Sequence, residues 1–173
     1  MAIFRKYSIF LSWRLNAEAV RNLDVDELKR LLSDGAEVDA LDDNEMTALM
    51  HACKLNAAPC VEVLLEVGAD FTLKSKGLCI LLLKDPANGP IVAELERDPS
   101  ALLPKIPYSA SCLNVTCAYG HEECVKLLLG KMKKKNKMDI AKSTNCAKCN
   151  GHDAVVQLLP KVSITRRKLK KKK

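Results

Sequence analysis

Aromatic residues are scarce in this chain: three Phe, three Tyr and one Trp make up 4% of its 173 residues. With hydrophobic content at 48%, any core must be assembled from Leu, Val, Ala and Cys, the side chains that thin stacked helices use. The length suits one domain. No apolar run approaches the roughly 20 residues of a membrane span. The apolar stretch from Tyr7 to Trp13 is short and lacks the small-residue cleavage site of a secretory signal. Histidine is also rare, with three in all. There is no H-E-x-x-H, no G-x-S-x-G and no Gly-rich loop able to cradle phosphate, so no catalytic constellation is visible and an enzyme is not expected. Eight cysteines without an export signal read as reduced thiols rather than a disulfide framework.

Acidic residues are missing from two segments. Lys131 to Lys137 holds five positive charges and Lys161 to Lys173 holds eight, with no Asp or Glu in either. These thirteen account for more than the whole net charge of +7: the remaining fifteen Lys and Arg face twenty-one Asp and Glu, a net of −6. The body of the protein is therefore acidic, and its basic character is confined to one internal segment and one tail.

What the chain does have is a repeat. In Ser111 to Leu129, S-C-L-N-V-T-C-A-Y-G-H-E-E-C-V-K-L-L-L, the residues Leu113, Thr116 and Cys117 mark one face of a short helix. Gly120 ends that helix, and Cys124, Val125, Leu127 and Leu128 give a second helix a continuous apolar side. Two such helices cannot bury these faces alone. A small residue of the first helix recurs at Ala19, Ala52, Thr116 and Ala147, and an apolar residue of the second at Leu28, Val61, Val125 and Val156. Both series step by 33, 64 and 31 residues.

This pattern resembles the ankyrin repeat, T-P-L-H-x-A followed by Gly-His and V-x-L-L, whose period is about 33 residues. Thr47-Ala48-Leu49-Met50-His51-Ala52 stands where T-P-L-H-x-A would, with Met50 in place of the family's His. The resemblance implies an all-α solenoid of helix-turn-helix units with short β-hairpin fingers. About four to five repeats would fill residues 18–160, and the 64-residue step would hold two repeats, one of them, 76–108, degenerate. Five of the seven prolines lie between 86 and 107, and Pro86 should cut short a first helix over Leu78 to Leu83. Residues 1–17 read as a capping helix or a basic leader, and 161–173 as a disordered polybasic tail. Asp24 should cap the second helix of the first repeat, with Glu27 completing a capping-box variant, and Thr47 should cap the first helix of the second. In the last repeat the register is open between Asp139-Ile140-Ala141 and Ala147, and regular spacing favours Ala147.

By the same resemblance, partner proteins would be bound by finger tips and by the concave face of the first helices. Carried onto this sequence, the fingers give Leu41, Asp42, Asp43 and Asn44, then Lys74 and Ser75. The variable first-helix position gives His51, Val115 and Cys146, with Lys54, Leu55 and Tyr119 nearby. Tyr119 is the expected anchor, since aromatics dominate binding hot spots. Cys146-x-x-Cys149-x-x-His152 looks like half a zinc site, but no complete ligand set with familiar spacing accompanies it, so neither metal nor cofactor is expected. Arg166, Arg167, Lys168, Lys170 and Lys171 resemble a nuclear-import signal and equally suit an import receptor, RNA phosphates or anionic lipid heads. The function expected is a non-catalytic protein-interaction adaptor of the cytoplasm and/or nucleus. The alternative is a nuclear or nucleic-acid-associated factor working through 131–137 and 166–173.

Overall fold

A computed structural model describes residues 16–76, 85–89, 109–132 and 137–162. Residues 16–21 are helical. They are followed by α1 (Val25–Ser33), α2 (Ala48–Lys54), α3 (Ala58–Glu66), β1 (Lys74–Ser75), a 3-10 turn (Pro86–Asn88), β2 (Ala110–Ser111), α4 (Cys112–Ala118), α5 (Glu122–Lys131), α6 (Lys137–Cys149) and α7 (Asp153–Leu158). Among the described residues the helices pair within layers, α2 with α3, α4 with α5 and α6 with α7, and 16–21 precedes α1 in the first layer. Between layers α1 packs on α3, α2 on α4, α3 on α5, α4 on α6 and α5 on α7. This is an all-α solenoid, and every apolar anchor in the repeat series except Val156 is buried.

The contacts of α2 with α4 and of α3 with α5 bring the second and third described layers directly together. Lys74 pairs with Ser111 and Ser75 with Ala110 in antiparallel register, so the chain leaves the stack at β1 and re-enters it at β2 beside its point of departure. This two-stranded sheet joins the two chain ends that flank 76–109. Among the described residues no hairpin of strands forms over 37–44, which is held by turns and side-chain hydrogen bonds. The helix expected over 78–83, the leader before residue 16 and the tail after 162 lie outside the described residues.

Local chemistry explains the helix starts. Asp24 accepts the Glu27 N–H at 2.9 Å as expected, but the Glu27 carboxylate turns to Arg30, at 2.7 Å, instead of completing a capping box. Thr47 Oγ1 accepts the Met50 N–H at 3.3 Å, and Pro59 sits in the first turn of α3, where its missing N–H leaves no bond unmade. A full capping box appears at α4, where Ser111 and Asn114 satisfy each other's backbone N–H groups. Asn114 also donates to Ser143 at 2.9 Å and is buried. Ser111 donates to Asp139 at 2.9 Å. Helix α6 spans both candidate anchors of the last repeat. It runs 13 residues against seven in α2 and α4, so Ile140 and Ala147 are both fully buried on the third layer.

A third residue series confirms the steps read from sequence. Leu23, Asn56, Gly120 and Gly151 hold the turn between the two helices of each layer with φ of +55, +56, +74 and +74°. Leucine is a poor residue for this conformation, which costs an L side chain roughly 1–2 kcal/mol. The Leu23 side chain is 59% exposed and gives little packing in return. Leu23→Gly should therefore stabilise the protein by about 0.5–1 kcal/mol, allowing for the freer unfolded chain. A urea titration checks this, with the midpoint rising and the slope unchanged.

Candidate functional site

The finger of the second layer begins as sequence suggested but is more self-contained. Asp42 Oδ1 accepts the N–H groups of Asn44 and Met46, both at 2.8 Å, which folds the tip. Its other oxygen meets His51 Nε2 at 2.9 Å, joining finger to first helix. Burial by itself would raise the Asp42 pKa, but the hydrogen bonds from Met46, His51 and Asn44 outweigh it and hold the carboxyl below its ordinary value. Asp42 and His51 thus tie the finger to α2, and Leu41, Asp43 and Asn44 are exposed on that finger, Leu41 with 53% of its surface. Lys74 is exposed on β1 and reaches Asp139 at 3.5 Å.

Two expected contact residues lie inside the protein. Ser75 is fully buried, because its backbone pairs with Ala110 and its hydroxyl donates to Asn44 O at 3.2 Å. Val115 is fully buried because α4 is packed between α2 and α6, and the third layer offers no open equivalent of His51. Cys146 is half-buried on α6. The lysines at 133–135 and the basic residues Arg166, Arg167, Lys168, Lys170 and Lys171 lie outside the described residues.

The remaining sites come together at the far end of the first helices. Leu55 and Tyr119 occupy the same position in successive layers, 64 residues apart, beside Lys54. Leu55 is 45% exposed. The Tyr119 ring stacks on His121 with centroids 5.6 Å apart and planes at 16°, and its hydroxyl donates to Asp85 Oδ2 at 2.6 Å. His121 Nδ1–H donates to Cys53 O of the preceding layer at 2.9 Å, and His152 Nε2–H likewise donates to Ala118 O at 3.0 Å. Two Gly-His histidines therefore rivet three layers together. Asp85 was missed by the sequence reading. The signal was present, since Asp-Pro at 85–86 is the N-cap and first-turn pair that the sequence shows again at 98–99.

The Cys53 thiol is pushed well up, first by its hydrogen bond with Cys112 and then by burial, and burial raises Cys117 and puts Cys124 at about 11. These thiols stay protonated and unreactive at neutral pH. Among the described residues no group of three or more His, Cys, Asp or Glu could hold a metal ion.

A family model for ankyrin repeats, three copies long, matches residues 16–75. Residues 16–75 belong to the ankyrin-repeat family. No curated protein matches its sequence. Ankyrin repeats generally mediate contacts between proteins and are typically non-catalytic. Among the described residues no helix is long and apolar enough to cross a membrane.

The rivet at His121 has a pH signature. Burial lowers its pKa below the ordinary 6.5, against the raising effect of Cys53 O and with help from nearby His152. The unfolded chain therefore takes up the proton first as pH falls. The stability carried by neutral His121 is complete above about 6.5 and is lost as pH drops from there toward the folded pKa. The melting temperature should fall between about pH 7.5 and 5.5, and His121→Gln should flatten that slope.

Proposed function

We propose that this ankyrin-repeat protein is a non-catalytic adaptor that binds other proteins through its finger tips and concave edge. The observation that supports this reading is the residue set left over by packing. Leu41, Asp43, Asn44, Lys54, Leu55 and Tyr119 recur at finger and first-helix positions of adjacent layers, and the structure does not bury them as it buries Ser75 and Val115. Exposed apolar side chains beside charged ones, held on rigid helices, are what a protein interface uses.

The test is partner capture from lysate, with and without nuclease, using the full chain and a chain ending at Pro160. Proteins that survive both treatments and are lost on joint Leu41→Ala and Leu55→Ala substitution would support the adaptor. Recovery that collapses with nuclease or with removal of the tail would overturn it and assign the function to the lysine clusters.

A further inference from the structure

Asp85 touches the stack at the edge proposed above for partner binding. One of its carboxylate oxygens, Oδ1, accepts the Ala87 N–H at 3.0 Å and caps the turn Pro86–Asn88. That leaves Oδ2 to face outward, where it accepts the Tyr119 hydroxyl at 2.6 Å. The hydrogen bond from Tyr119, then that from Ala87, and more distantly the positive charge of Lys54, hold this carboxyl below its ordinary pKa. The groups around it are donors and a cation, arranged on two successive layers. A phenol fixed by stacking on His121 and an ammonium at the end of α2 suit a carboxylate and would reject an amine.

Helix α4 is held at both of its ends. The β1–β2 pair holds it at Ser111, before the first turn, and Asp85 holds it at Tyr119, after the last. Tyr119, and with it Asp85, lies at the end of the first helix whose middle is closed at Val115 by α2 and α6.

Building on the adaptor reading, we infer that Lys54 and Tyr119 form a carboxylate-binding subsite for an acidic peptide with a capped Asp-Pro turn, and that Asp85 occupies it as an intramolecular stand-in. Proline after the aspartate matters because its fixed φ starts the turn whose N–H engages one carboxylate oxygen and leaves the other free for the phenol. An external ligand must displace Asp85, so the chain's affinity for such a peptide is set by how tightly Tyr119 holds Asp85.

The experiment is an NMR titration of the full chain and of its Asp85→Ala variant with the capped pentapeptide Asp-Pro-Ala-Asn-Gly. Peptides this small bind at millimolar concentrations when they bind at all. The expected result is saturable shifts of the Lys54 and Tyr119 signals in Asp85→Ala, with an apparent affinity at least about tenfold higher than in the natural chain. Adding Tyr119→Phe to Asp85→Ala should weaken binding about tenfold, the worth of one hydrogen bond to a charged group. The peptide with Asn in place of Asp should not bind. Equal shifts in the natural and Asp85→Ala chains, no shifts in either, or binding of the Asn peptide would each overturn the inference. Absence of shifts while proteins are still captured by the stack would remove this subsite and leave the adaptor reading standing. A melting temperature for Asp85→Ala close to that of the natural chain confirms that the variant is folded.

Discussion

Gly120→Ala should cost about 3 kcal/mol of stability, and Gly151→Ala no more than about half of that. Both glycines have φ of +74°, so both alanines meet the same backbone penalty of roughly 1–2 kcal/mol. They differ in what the new methyl would touch. At Gly151 nothing lies within 4 Å. At Gly120 the Cβ would stand 2.6 Å from His152 Nδ1 and 2.9 Å from two ring carbons. That ring cannot simply swing aside, because its Nε2 is bonded to Ala118 O. Moving it sacrifices a hydrogen bond worth about 1 kcal/mol and disturbs the seam between the third and fourth layers. For a protein of this size the melting temperature should fall roughly 6–12 °C for Gly120→Ala. Parallel thermal melts of the two variants decide the matter. Equal losses would mean that the turn conformation alone requires glycine and that the close approach of His152 contributes nothing.

Leu64→Ala should be of similar or larger size, about 3 kcal/mol within the 2–5 range for emptied leucine sites. Leu64 is fully buried on α3, in the layer that packs on both its neighbours. Three residues on, Val67 is 51% exposed, and its truncation should change stability by less than about 0.5 kcal/mol. In a stack each layer contacts only the next, so a defect in the second layer also weakens its grip on the first. Hydrogen exchange of the α1 amides should quicken in Leu64→Ala by more than in a variant of the fourth layer such as Val155→Ala. Equal effects on α1 would show that the four layers unfold as one unit rather than through neighbour contacts.

The candidate surface now has three kinds of residue where sequence gave one. Asp42 and His51 shape it, Leu41, Leu55 and Tyr119 offer area, and Ser75 and Val115 hold the layers behind it together. A recurring position in a repeat specifies where a side chain leaves the backbone. Whether that side chain is open depends on what packs across it, and at Val115 the neighbours α2 and α6 close the position.

Sequence alone determined the repeat unit, its anchors, the caps at Asp24 and Thr47 and the turn at Gly120, because each follows from residues a few positions apart. A hydroxyl three residues before an N–H, or a glycine between two apolar faces, exerts its effect through local geometry. The steps of 33, 64 and 31 residues were equally legible, since identical layers need identical spacing. Only the tertiary structure decided which residues meet across the long step, as chain length does not say which ends come together. Lys74–Ser75 pairs with Ala110–Ser111 and Tyr119 bonds to Asp85, contacts between residues that are far apart in the chain. Their partners are selected by the folded stack, which brings two strand ends and one carboxylate to the same helix.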